Sequence, residues 1–219
     1  MCFSATASFA AAGGLALIGA ASLAQRPSPR MTALAATPLL FAVHQAIEGV
    51  IWLDVGAGAP SQTMIKLWVF IAEVFWPTFV PLAVLLLTRG RRRRQGLAAL
   101  LATGVIVSGY FLIILLRNDF SVSVVNHSLQ YVPAEPAAHN LPGLYLLATV
   151  APLLIARERF VLAFGFAVLA GAVVTELFFS YAGPSVWCFF AAIASVCAYL
   201  ALREDREGRR PRLSPTPGL

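Results

Sequence analysis

Seven apolar stretches run along the chain, at residues 3–23, 32–53, 64–88, 96–116, 141–156, 160–181 and 184–202. Most are about twenty residues long, the length an α-helix needs to cross the hydrocarbon core of a bilayer. The fifth, bounded by Pro142 and Pro152, is the shortest and falls just under that length. The pattern predicts an all-α polytopic membrane protein. A single domain of seven transmembrane helices covers residues 1–202. The segment 203–219 is polar, basic and proline-bearing, a composition that predicts a disordered tail. Met1 leads into Cys2-Phe3-Ser4-Ala5 without a positive n-region. The first stretch is therefore expected to stay as a helix rather than be removed as a signal peptide.

The connectors between these stretches sort by charge. Arg26 and Arg30 fall between the first and second, and Arg89 and Arg91–Arg94 between the third and fourth. Arg157 and Arg159 fall between the fifth and sixth, and Arg203, Arg206, Arg209, Arg210 and Arg212 follow the seventh. The remaining connectors hold one arginine, Arg117. Arginines in short loops mark the cytoplasmic side. The four basic segments share one side only if an even number of spans separates them. The pattern therefore requires the short fifth stretch to cross, and it places the N-terminus outside and the C-terminus in the cytoplasm, with the plasma (inner) membrane as the expected location.

Composition adds to this picture. The chain is 59% hydrophobic and 12% charged, with a mean hydropathy of +0.79, against about 25% charged residues in soluble domains. A net charge of +6 would suit a nucleic-acid partner. The arginines lie almost entirely at helix ends, however, so the expected partner is the bilayer and nucleic acid is not expected. Three cysteines are too few for a disulfide scaffold.

Ionisable groups inside a bilayer are costly, so each is a candidate for function. Glu48, Glu73 and Glu176 fall within spans. His44 and Glu48 are one turn apart on one face, a spacing that lets them pair, and Gln45 and Trp52 flank them on a shared stripe. Lys66 and Glu73 are two turns apart and are expected to bridge, with Trp76 one turn below Glu73. Trp52, Trp68 and Trp187 fit an interfacial aromatic belt. Cys2, Cys188 and the connector bearing His127, Tyr131 and His139 fall at the same, outer end, whereas Cys197 is a packing residue. Gly13, Gly14, Gly165 and Gly171 are expected to let helices approach closely. Cys2 and Cys188 suit either a disulfide on the oxidising side or, with an imidazole, a zinc or copper site.

Several chemistries are excluded. The chain has no Walker-type phosphate loop, nucleophile elbow, CxxC motif or zinc-protease helix. The seventh stretch has no lysine for a retinal Schiff base.

The same residues carry a resemblance. The chain resembles bacterial multi-pass membrane proteins of unknown function that begin with MCFSA. The matching stretches are Met1–Ala5, Gln45-x-x-Glu48-Gly49-x-x-Trp52, Trp76-Pro77 with Pro81, His127-x-x-x-Tyr131, YLLATVAP at 145–152 and SVWCFFA at 185–191. Cys2, Ser4, Gln45, Glu48, Trp52, Trp76, His127, Tyr131, Trp187 and Cys188 match one by one, whereas His44 and Glu73 depart from the family pattern. The resemblance implies a shared seven-helix fold and no particular activity.

Two function classes follow. The first is a metal-dependent, hydrolase-like membrane enzyme acting on a small molecule or lipid. Cys2, His127 and Cys188 would hold zinc or copper, Glu48 would act as general base on metal-bound water, and Ser4 and Tyr131 would be further catalytic candidates. Gln45, Trp52, Glu73, Trp76 and Trp187 would line the substrate. The second is a proton- or cation-coupled transporter, or a ligand or redox sensor, built on Glu48 and Glu73.

Overall fold

The chain enters its first helix at Ser4, whose hydroxyl accepts a hydrogen bond from the Ala7 amide at 3.2 Å and caps α1 (Ala5–Ala24). This computed structural model describes residues 4–135, 141–180 and 183–209. After α1 come α2 (Thr32–Gly56), α3 (Gln62–Leu87) and α4 (Arg91–Arg117), then a two-stranded sheet of β1 (Phe120–Val125) and β2 (Ser128–Pro133). The chain closes with α5 (Pro142–Ile155), α6 (Arg159–Phe179) and α7 (Gly183–Gly208), the last turning at Ser195. Six of these helices are long and apolar enough to cross a membrane. The exception, α5, is apolar but shorter, about 20 Å at helical rise. α2 is the most enclosed of the seven, packed along α1 and touching α3 and both halves of α7.

The fold is mostly helical, as expected, with one hairpin in the connector after α4. Residues 120–125 read Phe-Ser-Val-Ser-Val-Val, an alternation suited to a strand exposed on one face. The strands pair antiparallel from Phe120↔Pro133 to Val125↔Ser128. Asn126 and His127 make the turn with φ of 47° and 59°, the left-handed pair that a two-residue hairpin loop requires.

The end of the chain also differs from expectation. Residues 203–209 continue the last helix rather than starting a disordered tail. Arg203 pairs with Glu207 at 3.0 Å, and Arg159 at the start of α6 reaches Glu204 at 2.8 Å. Residues 210–219 lie outside the described chain.

Within α3 the backbone widens into a π-helical segment, Phe70–Phe75, just before Pro77. In i→i+5 register residue 77 would donate to the carbonyl of Ala72, but a proline has no N–H. The Tyr145 hydroxyl from α5 donates to that carbonyl instead. On the other side, Ser108 of α4 donates to the Val74 carbonyl at 2.5 Å and shares a 2.8 Å hydrogen bond with Thr78. Pro81 likewise leaves the Pro77 carbonyl without a helical donor. Gly104 of α4 packs directly against it, where a Cβ would meet the oxygen at 1.9 Å. Gly165 and Gly171 also sit at close contacts, against Leu153 and Phe190. Gly13 and Gly14 face open space, with no neighbour within 4 Å of where a Cβ would stand, so they are not packing residues.

The apolar interior falls into two clusters. The larger includes Leu34, Phe41, Trp76, Val84, Leu153, Phe164 and Ala192. The smaller lies under the hairpin and includes Ile47, Ile51, Ile65, Trp68, Phe120, Leu129 and Cys188. The hairpin is tied to the first turns of α3. Gln62 donates to the Phe120 carbonyl at 2.6 Å and accepts from the Phe120 amide at 3.1 Å, and Lys66 pairs with Asp119 at 2.8 Å. Gln62→Ala removes both amide bonds. The hairpin amides are then expected to exchange with solvent about tenfold faster or more, since two hydrogen bonds of roughly 1 kcal/mol each are lost. Hydrogen-exchange mass spectrometry with α4 as internal reference measures this.

Candidate functional site

The seam between the two apolar clusters is polar. His44, Gln45 and Glu48 follow Phe41 and Ala42 on α2 and have no exposed surface. One turn of helix separates His44 from Glu48, but they do not hydrogen-bond as the spacing suggested. Ser185, in the first turn of α7, donates to Glu48 Oε1 at 2.5 Å instead. The His44 ring lies 4.9 Å from Trp68, tilted by 44°. The Trp68 backbone is nearby, yet neither ring nitrogen reaches a partner in hydrogen-bond geometry. Among the described residues both polar atoms of the Gln45 amide are also without a partner, as are the indole N–H groups of Trp52, Trp68 and Trp76.

The hairpin roofs this seam. Tyr131 stacks on Trp68 at 4.0 Å and 7°, so hairpin, α3 and α2 form a column of Tyr131, Trp68 and His44. Trp68 is 1% exposed and belongs to this column, not to an interfacial belt. Ser128 and Leu129 of β2 are completely buried beside it.

The other candidate residues divide. Cys188, one turn beyond Ser185, is a buried free thiol within electrostatic reach of Glu48 and Glu73. Glu73 is half-buried near Tyr145 and makes no hydrogen bond or ion pair among the described residues. Its expected bridge to Lys66 is absent because the π-helical segment between them turns Glu73 by roughly a quarter-turn from the Lys66 face. Trp76 stacks on Phe41 at 4.2 Å. Trp187 donates to the Val168 carbonyl at 3.0 Å and so ties α7 to α6. Ser4 caps α1, and Glu176 is exposed on α6. Cys197 packs against the larger apolar cluster.

Of the expected metal ligands, two fall among the described residues. His127 sits exposed at the hairpin turn, whereas Cys188 is buried in the bundle. Among the described residues no three His, Cys, Asp or Glu side chains are grouped to hold a metal ion. Cys2 and His139 lie outside those residues.

Below the seam, towards the arginine-bearing end, lies a cavity of about 50 Å³. Trp76, Tyr145, Trp187 and Cys188 line it near the seam, and Leu34, Val84 and Leu153 line it further down. Nothing in the apolar pattern marks this cavity. Ser185, Trp68 and Tyr145 were also not legible as site residues, since a serine or aromatic in an apolar helix is ordinary. The sequence signals are that Tyr145 and Ser185 open the YLLATVAP and SVWCFFA stretches and that Ser185 precedes Cys188 by three residues and so shares its face.

No curated protein and no solved structure matches the chain. A family model described as a family of unknown function (DUF6629) matches residues 1–213. Because the match covers nearly the whole chain, this protein belongs to the DUF6629 family.

Proposed function

We propose that the chain crosses the plasma (inner) membrane seven times, N-terminus outside and C-terminus in the cytoplasm, and binds a small polar-headed molecule in its outer half. The orientation rests on the arginines. Arg159 and Glu204 join two of the basic segments, and Arg94 donates to the carbonyls of Leu85 and Thr88 at the end of α3. These basic groups therefore gather at the end opposite the hairpin, as a cytoplasmic face requires.

One observation carries the binding reading. His44 and Gln45 are wholly buried, yet four of their polar atoms have no partner among the described residues. Buried polar groups are almost always paired, because an unpaired one costs about 1–3 kcal/mol. A cluster of unpaired groups under a roof is the arrangement expected of a site whose partner is a ligand. Binding is favoured over transport because the half away from the hairpin is made of the larger apolar cluster, and the hydroxyls that line its cavity are bonded to backbone carbonyls. It is favoured over metal hydrolysis because no three metal-ligating side chains are grouped among the described residues.

The test uses the full chain in lipid nanodiscs. Native mass spectrometry is expected to show a non-protein mass that the wild type carries and the double variant His44→Phe, Gln45→Leu does not. Identical bulk lipid on both proteins would overturn the reading.

A further inference from the structure

At the basic end of the bundle, a recess opens between α3 and α4. We propose that it is a selective site for the phosphate of an anionic lipid, gripped by Arg91 and Arg94. The site is separate from the seam and rests only on the bundle lying in a bilayer.

The recess is lined by Leu85 of α3 and by Arg91, Arg94, Gln95 and Ala98 of α4. On α4 these residues recur at helical spacing and share one face. The Arg94 side chain is anchored. Its Nη1 donates to the carbonyl of Leu85 at 3.0 Å and to that of Thr88 at 3.3 Å, at the end of α3. Those bonds use both protons of Nη1. The Nε and Nη2 N–H groups remain, and they form the edge of a guanidinium that matches two oxygens of a phosphate. A loose surface arginine must be ordered when it binds, whereas this one is ordered beforehand.

The charge of the recess is unanswered. Residues 74–118 contain no Asp or Glu. Arg91 and Arg94 make no ion pair among the described residues. The rest of the lining is apolar. Ala98 lies about 6 Å beyond Arg94 along α4, past Leu97, where the apolar run has begun, and Leu85 is half-buried beside it. A free anion would use the arginines alone. A lipid uses both parts, with its phosphate on the guanidinium and its first methylenes on Leu85 and Ala98. A zwitterionic head would bring an ammonium against the arginines, with no acid on α4 or on the adjoining half of α3 to receive it. Placement in the sequence makes Arg91–Arg94 equivalent topological charges. The structure separates Arg91 and Arg94, which line the recess, from Arg92 and Arg93, which do not.

The experiment titrates the full chain in detergent with phosphatidylglycerol, phosphatidylcholine or glycerol phosphate, and reads bound molecules by native mass spectrometry. The first phosphatidylglycerol is expected to bind at least about tenfold tighter than phosphatidylcholine, the scale of a charge-assisted hydrogen bond. Arg92→Gln should weaken it by about fivefold, the general worth of one basic residue near anionic lipid. Arg94→Gln should weaken it by about tenfold more, because the paired N–H contacts go with the charge. Arg94→Lys should recover only the share due to charge. Gln95→Glu sets an acid in the recess without touching the Arg94 anchor. It should weaken binding without lowering the melting temperature, which separates loss of the site from loss of the fold. Equal effects of Arg92→Gln and Arg94→Gln would mean diffuse attraction to the basic end and overturn the proposal. Phosphatidylcholine binding as tightly as phosphatidylglycerol would do the same. Displacement of the lipid by an equal concentration of glycerol phosphate would make the ligand a soluble phosphate and overturn the lipid assignment. The double variant His44→Phe, Gln45→Leu is expected to keep this site, so its failure and that of the seam are read separately.

Discussion

Gly104→Ala is expected to abolish the recovery of well-folded protein. The new methyl would lie 1.9 Å from the Pro77 oxygen and 2.8 Å from its carbonyl carbon. Both atoms are backbone, so no rotamer change relieves the contact, and α3 and α4 must part by about 1 Å to restore a 3.0 Å approach. Ser108, one turn along α4, then loses its 2.5 Å bond to Val74 and its 2.8 Å bond to Thr78. Overpacking costs about 1–3 kcal/mol, and stranding buried polar groups costs a similar amount for each. The sum is a large part of the stability of an ordinary domain. The yield of monodisperse protein and its melting temperature in detergent measure the loss. Gly109→Ala, on the same helix with nothing within 4 Å, is the control and is expected to behave as wild type.

Gln45→Leu is expected to do the opposite and stabilise the empty protein. The side chain is fully buried, and neither amide atom has a partner among the described residues. Leucine has nearly the same size and removes about 1–3 kcal/mol of unmet hydrogen bonding. In a chain of this length that is roughly 2–12 °C in melting temperature. Ser185→Ala is its counterpart. It removes the donor at 2.5 Å from Glu48 and should lower the melting temperature. If the buried polar residues were only structural glue, both substitutions would destabilise. Opposite signs separate a group awaiting a ligand from one already satisfied, and are in keeping with the trade of stability for function at binding sites.

Much of this architecture was legible because the bilayer makes demands that show in sequence. Apolar length and arginine placement mark where helices begin and end. The same physics picked out His44, Gln45, Glu48 and Glu73, since a polar residue in an apolar run is conspicuous. Their partners were less visible. Ser185 carries no charge to mark it, and Lys66 and Glu73 look matched only if α3 is regular. The π-helical segment breaks that assumption, and it arises from the coincidence of Pro77, Tyr145 and Ser108 across three helices. The hairpin was readable in the Phe120–Val125 alternation, but its turn lacks the usual glycine, and Asn126-His127 is a weak signal. His127 attracted attention as an imidazole in a long connector, whereas its place is set by the backbone of the turn.

The attachment of the hairpin has a mechanical consequence. Gln62, Lys66 and Trp68, which hold it, all precede the π-helical segment at Phe70–Phe75. Lifting the hairpin alone would break two amide bonds, an ion pair and an aromatic stack together, whereas the widened backbone just below already lacks regular α-helical bonding. The joint available to the hairpin is therefore inside α3, where the Tyr145 and Ser108 side chains stand in for helical bonds, rather than at the foot of the strands. Any movement that uncovers His44 would carry the first two turns of α3 with the hairpin, as a single rigid cap.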